Sequence, residues 1–338
     1  MSSERSNQSR EVKAIKVEGI EIDPPIMLAP MASLTTPSMR TVCEDMGCPF
    51  TFTEMVSVDG LVRRPQKLLK FIVPSFNVAR SYGVQLVGRK KEEMAEAAKI
   101  AVDAGVSVID LNMGCPARKV VSGGNGAALM KNPGGAGQIV ENVVRAVGDR
   151  VIVTVKMRIG WDENSLNAPE IAKIAESAGA RWVTVHGRTR GKFCSGPVNY
   201  SEIARVVDAV QIPVLGNGGI VDGESMDRML EETGCAGVMI AQGALGNPWI
   251  FRELRAKLKG EEHSFKVTLN DRRHMMLRHF EFYMREGRDV ARAVREMRKH
   301  LGWYSKGVFG GASFRRKIFR LTDPKDVVNH IETLGTVL

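Results

Sequence analysis

The residues best equipped for chemistry are a cysteine, a lysine and a histidine set among glycines. Cys115 stands between Gly114 and Pro116, directly after the apolar run SVIDLNMG (107–114). Lys156 lies near the end of VIVTVKMR (151–158), and His186 near the end of WVTVHGR (182–188). A thiol is mostly protonated at neutral pH and can act as an acid, although a buried small hydrophobe is the commoner fate of cysteine. A lysine closing an apolar strand is costly unless an anion accompanies it. That anion is either a bound ligand or a neighbouring carboxylate such as Glu54 or Asp110. The glycine-bearing segments Asn217-Gly218-Gly219 and Ala241-Gln242-Gly243 offer backbone N–H groups to a phosphate, or serve as plain turns. The five cysteines form no CxxC pair and the six histidines no HExxH, so no metal site is expected and the thiols read as reduced and cytoplasmic.

These residues need elements to position them. Eight short, β-branched apolar runs alternate with helical stretches between residues 26 and 245. They are IMLAP (26–30), FTFTEMV (50–56), YGVQLVG (82–88), SVIDLNMG, VIVTVKMR, WVTVHGR, IPVLGN (212–217) and GVMIAQG (237–243). Helical stretches such as 90–105 and 168–179 lie between them. Near-continuous apolar strands separated by helices imply a parallel sheet covered by helices. Eight such units in about 220 residues fit a (β/α)8 TIM barrel. GGNGAAL and GNGGIV both fail the GxGxxG spacing of a doubly wound nucleotide fold.

A barrel gathers its chemistry at the carboxyl ends of its strands. There the sequence delivers Pro30-Met31-Ala32, Glu54, Gln85, Asn112, Cys115, Lys156, Arg158, His186, Arg188, Asn217-Gly218-Gly219 and Ala241-Gln242. Amides, cations, an imidazole and a thiol without paired carboxylates argue against glycoside hydrolysis and suit a flat, polar, anionic cofactor.

The positive charge is uneven. The whole chain carries 48 Lys+Arg against 38 Asp+Glu, but residues 251–338 alone carry 20 against 11. Concentration in one segment sets a polyanionic partner level with the plainer reading of a solvated helical surface. Two long helices are expected there, ending near Gly287 and Gly307, with Val290, Val294, Met297 and Leu301 facing a core. The expected organisation is a polar tail over 1–20, the barrel over 21–255, a connector over 256–266 and a small C-terminal helical domain over 267–338. No apolar run nears the ~18 residues of a membrane span.

The motifs IMLAPMA, TEMV, VQLVG, IDLNMGCPARKV with GAALM behind it, VTVKMRIGW, TVHGRTR, PVLGNGGI and GALGNPWIF together resemble the tRNA-dihydrouridine synthases. REMRKHLGWYSKG extends the resemblance into their helical tRNA-binding domain. The resemblance implies an enzyme that binds FMN in the barrel mouth and reduces the C5–C6 double bond of selected uridines in tRNA, with NADPH or NADH as reductant. By that resemblance Cys115 gives the proton to C5. Lys156 and Gln85 face the flavin ring, with Pro30, Met31 and Ala32 as backbone contacts. Asn217, Gly218, Gly219, Ala241 and Gln242 hold its phosphate beside His186. Asn112, Arg158 and Arg188 would meet the substrate. Arg292, Arg295, Arg298, Lys299, Arg315, Arg316 and Lys317 are candidate tRNA contacts, and Trp303 and Tyr304 read as packing before base stacking. A cytoplasmic monomer is expected.

Three motifs depart from the family's usual pattern. PMAGxTD is here Pro30-Met31-Ala32-Ser33-Leu34-Thr35-Thr36, NGD is Asn217-Gly218-Gly219, and a Gly-Arg pair is Ala241-Gln242. Two other readings compete: a flavin barrel acting on a free pyrimidine, and a non-catalytic RNA-binding barrel.

Overall fold

The computed structural model describes residues 12–77, 81–261 and 265–336. A two-stranded antiparallel hairpin, β1 (Ile15–Val17) and β2 (Ile20–Ile22), precedes eight parallel strands. These are β3 (Ile26–Leu28), β4 (Phe50–Ser57), β5 (Tyr82–Val87), β6 (Val108–Met113), β7 (Ile152–Arg158), β8 (Val183–His186), β9 (Val214–Asn217) and β10 (Gly237–Ile240). They follow one another around a closed barrel, which β10 seals by pairing with both β9 and β3. The expected TIM barrel is present, and each strand falls on one of the eight apolar runs.

The barrel is plugged at its amino end and polar at the other. Met27, Phe50, Phe52, Val108, Ile152, Trp182, Leu215 and Met239 fill the lower interior. The Phe50 ring packs edge-on against Phe52 and Trp182 at 5.2 and 6.3 Å. Gly83 is required there, because a Cβ would lie 2.3 Å from the Phe52 ring. The hairpin begins inside the stretch expected to be a polar tail and runs past its end. Ile15 and Ile22 are the reason: both are buried against this plug, so order begins well before residue 21. Residues 1–11 lie outside the described residues. The expected connector is also shorter, since a helix runs from Ile250 to Leu258.

Four helices follow, Leu269–Met284, Val290–Tyr304, Gly311–Ile318 and Pro324–Glu332. A capping box between Thr268 and Asp271 starts the first, and Asp289 caps the second through the Arg292 N–H. Val294, Met297 and Leu301 face the core as expected. Val290 does not: in the first turn of its helix it points outward and is 51% exposed. The helical domain shares one continuous core with the outer layer of the barrel. Gly246 lies tight against the helical domain, with φ +72° and a Cβ position only 2.5 Å from the Trp303 carbonyl carbon. Trp249 meets buried Tyr304 edge-on at 6.1 Å, so Tyr304 is packing and not a free stacking surface. Among the described residues no helix is long and apolar enough to cross a membrane.

Ser33 stands where the family pattern has glycine, and its φ of +58° is left-handed. That conformation costs a side-chain-bearing residue about 1–2 kcal/mol. The turn is held in place by the Ser33 N–H donating to Glu54 Oε2 at 2.6 Å and by Lys299 Nζ donating to the Ser33 carbonyl at 2.6 Å. A register shift in β4 between Phe52 and Met55 accompanies the turn of Glu54 toward it. Ser33→Gly is expected to stabilise the fold by up to about 1 kcal/mol, relieved strain exceeding the added unfolded-state entropy. Urea unfolding would show a higher midpoint at unchanged slope. An unchanged or lower midpoint would mean the serine hydroxyl compensates.

Candidate active site

Two hydrogen-bond chains organise the carboxyl end of the barrel. The first starts at Asp110, fully buried on β6, which accepts from Thr154 at 2.7 Å and from Gln85 Nε2 at 2.6 Å. Gln85 Oε1 in turn accepts from Asn112 Nδ2 at 2.7 Å. Asn112 Oδ1 then accepts the backbone N–H groups of Gly114 and Cys115 at 3.1 and 2.9 Å. The chain thus runs from the barrel interior to the cysteine turn and fixes both side-chain amides. Burial pushes the Asp110 carboxyl up, opposed by the hydrogen bonds from Gln85 and Thr154 and by the charge of Lys156. Gln85, Asn112 and Asp110 come from adjacent strands β5 and β6, which the parallel register sets side by side.

Cys115 is half-buried at the rim. Its carbonyl accepts from the Ala127 N–H at 3.1 Å, which folds the GGNGAAL segment back under the turn. Gly126 permits this approach: its φ is +61° and a Cβ would lie 2.8 Å from that carbonyl oxygen. On the other side, Arg158 Nε donates to the Gly114 carbonyl at 2.7 Å. Its Nη1 donates to the carbonyls of Thr189 and Phe193 at 3.0 and 2.6 Å. Arg158 is only 4% exposed, so the side chain expected at the substrate ties the cysteine turn to the loop after β8.

The second chain starts at Lys156, whose Nζ donates to Asn217 Oδ1 at 2.7 Å while Asn217 Nδ2 donates to the Met239 carbonyl at 2.7 Å. Among the described residues neither Glu54 nor Asp110 forms a salt bridge with Lys156; Glu54 turns to Ser33 instead. Burial pushes the Lys156 ammonium down, with Asp110 opposing and Arg158 adding to the shift. Beside it His186 is held well below its ordinary pKa, first by burial and then by the charges of Lys156, Arg158 and Arg188. The imidazole is therefore neutral, and its buried Nδ1 has no partner among the described residues.

His186, Arg188, Cys194, Asn217, Gly218, Gly219, Ala241 and Gln242 line one cavity. Gly218 (φ +112°) and Gly219 (φ +73°) need glycine, and a Cβ on Gly218 would sit 3.3 Å from His186 Nε2 and 3.4 Å from Arg188 Nη1. Arg188, expected at the substrate, stands at this cradle, with Nε donating to the Gly196 carbonyl. Three cations around a neutral imidazole, an orphaned ring nitrogen and glycines leaving room at the backbone fit a phosphate-bearing ligand. Pro30, Met31 and Ala32 form the rim turn after β3, where Met31 N–H donates to Thr35 Oγ1 at 3.0 Å. The part of Asp110 as anchor of the Cys115 turn was not apparent in the sequence, although its place two residues before Asn112 on one strand face was the available signal.

A family model described as dihydrouridine synthase (Dus) matches residues 27–336, covering barrel and helical domain alike. The chain belongs to the dihydrouridine synthase family. A probable tRNA-dihydrouridine synthase of Rhodobacter capsulatus is 40% identical over 314 residues, 92% of this chain and 94% of that relative. tRNA-dihydrouridine synthase B of Pasteurella multocida is 37% identical over 307 residues, 91% of each chain. Among solved structures, histamine dehydrogenase from Rhizobium sp. 4-9 superposes with a TM-score of 0.58 at 13% identity, over 80% of this chain and 51% of that one, a likeness of fold alone.

The family's helical domain here uses several of its cations internally. Arg298 donates to the Leu321 carbonyl, Arg315 to Ser305, and Arg292 pairs with Glu296 at 2.8 Å. Lys299 bridges to Ser33. Arg295, Arg316 and Lys317 are exposed.

Proposed function

We propose that the protein reduces the C5–C6 double bond of uridines in tRNA to dihydrouridine. FMN would be held in the barrel mouth, with NADPH or NADH as reductant. The observation that carries this reading is the convergence, at the carboxyl end of one barrel, of a thiol, an ammonium and a glycine cradle lined by His186 and Arg188. Asn217, Gly218, Gly219, Ala241 and Gln242 would hold the cofactor phosphate, with His186 and Arg188 beside it and the Pro30–Ala32 turn, Gln85 and Lys156 toward the ring. The chemistry FMN would supply there, once bound and reduced, is a hydride for uracil C6. Cys115 supplies the proton that C5 must then receive, its turn held between Asn112 and Arg158. Lys156, its ammonium partly withdrawn from water, would stabilise negative charge that develops on a ring bound beside it.

A uracil stacked in folded tRNA must be extruded to reach the rim, at a cost of a few kcal/mol that phosphate contacts elsewhere offset. Arg295, Arg316 and Lys317, exposed on the helical domain, are the contacts this reading favours, with Arg292 and Lys299 nearer the rim. Five cysteines with no CxxC spacing favour a reducing, cytoplasmic setting. The reading includes action as a monomer. Mapping dihydrouridine in tRNA from cells with and without the protein tests it: loss of the base at defined positions is expected. Unchanged tRNA together with reduction of free uracil would favour the free-pyrimidine alternative.

A further inference from the structure

A second cavity, about 750 Å³, lies between the loops after β3 and β4 and the helical domain. Its lining includes Arg40, Lys67, Lys70, Phe76 and Arg285, none of which belongs to the cysteine or glycine-cradle groups. Arg40, on the helix Pro37–Asp45, is 1% exposed. Its Nη2 donates to the Val73 carbonyl at 2.5 Å, but Nε and Nη1 have no hydrogen-bond partner among the described residues. A buried guanidinium with two idle donors is expensive unless something completes it.

The acids lining the cavity are engaged elsewhere. Glu286 accepts the Ser38 N–H and pairs with Arg288, Asp289 caps its helix, and Glu54 accepts from Ser33. Lys67, Lys70 and Arg285 are exposed and form no ion pair among the described residues. Arg285 lies over the rings of Phe76 and Phe282 at 5.1 and 5.6 Å, and those rings stack on each other at 5.1 Å and 17°. Idle cations beside a flat aromatic and guanidinium surface, in a cavity of ligand size, suit an anion joined to a planar ring.

We propose that this cavity binds a phosphorylated nucleoside, its phosphate taken by Lys67, Lys70 and Arg40 and its base packed beside Phe76 and Arg285. Two sources carry that chemistry: a tRNA nucleotide near the one reduced, and the phosphorylated adenosine end of NADPH. Naming the sources rests on the tRNA reading above; the site itself does not.

Calorimetry on the FMN-loaded enzyme with adenosine 2′-monophosphate and uridine 3′-monophosphate tests the site without any turnover. Saturable binding of one or both is expected, weakened at least tenfold in the Lys67→Ala/Lys70→Ala double variant. Arg40→Lys keeps the charge but removes the idle donors, and should weaken binding severalfold with its melting temperature checked alongside. A tenfold rise in tRNA Kd in the double variant assigns the cavity to RNA, provided Arg316→Ala/Lys317→Ala leaves mononucleotide binding unchanged. A tenfold rise in KM for NADPH in flavin reduction assigns it to the dinucleotide. No saturable mononucleotide binding, or binding indifferent to both cavity variants, overturns the proposal. Failure of the wild type to form dihydrouridine would instead overturn the tRNA reading and leave the site standing.

Discussion

Replacing Cys115 with alanine is expected to lower dihydrouridine formation by about 10²–10⁴-fold, the usual contribution of a positioned proton donor. FMN content and tRNA affinity should stay within about twofold of wild type, because losses confined to the chemical step leave binding intact. The structure supports that separation. The turn is held through backbone groups, by Asn112 on one side and Arg158 on the other, and none of those bonds uses the sulfur. Alanine also keeps the Cβ that packs on the Gly126 segment. The decisive measurement is single-turnover reduction of tRNA by enzyme whose flavin has been reduced beforehand. An undiminished rate there would remove the thiol from the reaction.

Lys156→Met should produce a protein that purifies with little flavin and, with FMN added back, turns over about 10²–10³-fold more slowly, the range for removing a preorganised charge from a transition state. Methionine fills similar space on β7, so no cavity is left to blame. Removing the ammonium relieves repulsion from Arg158 but also strips a compensating charge from buried Asp110, so the melting temperature is read alongside and some loss of stability is expected. Asn217 would lose its donor, but its bond to the Met239 carbonyl still fixes the amide. The ratio of flavin to protein absorbance, read beside dihydrouridine yield, separates loss of cofactor from loss of rate. Full occupancy and full turnover together would exclude the ammonium from both tasks.

Much of this frame was legible because a barrel strand carries a double signature, an apolar run and a polar end. SVIDLNMG and VIVTVKMR show both, and the structure sets their polar ends side by side, Asn112 opposite Lys156. What the sequence does not carry is where a long side chain ends. Lys156 and Arg158 share a strand face by the period of two, yet Lys156 reaches Asn217 while Arg158 reaches three loop carbonyls. The acceptors of Arg158 come from loops with no periodicity to read. The same limit hid the second cavity: Lys67 and Lys70 lie between β4 and β5, Arg40 lies on the helix Pro37–Asp45, and Arg285 directly follows the helix Leu269–Met284. Docking of the helical domain is what brings Arg285 to the other three. The hairpin over 15–22 escaped because two three-residue strands are too short for an alternating pattern to register.

The contact between Gly246 and the Trp303 backbone leaves no room even for a methyl group. The barrel's last loop and the second helix of the adjoining domain are therefore cut to one another's shape. A descendant of this chain could not trade its helical half for a foreign one without rewriting that loop as well. New RNA preferences would have to arise by changing side chains on the outer helix faces, one position at a time, while the joint between the halves stays as it is.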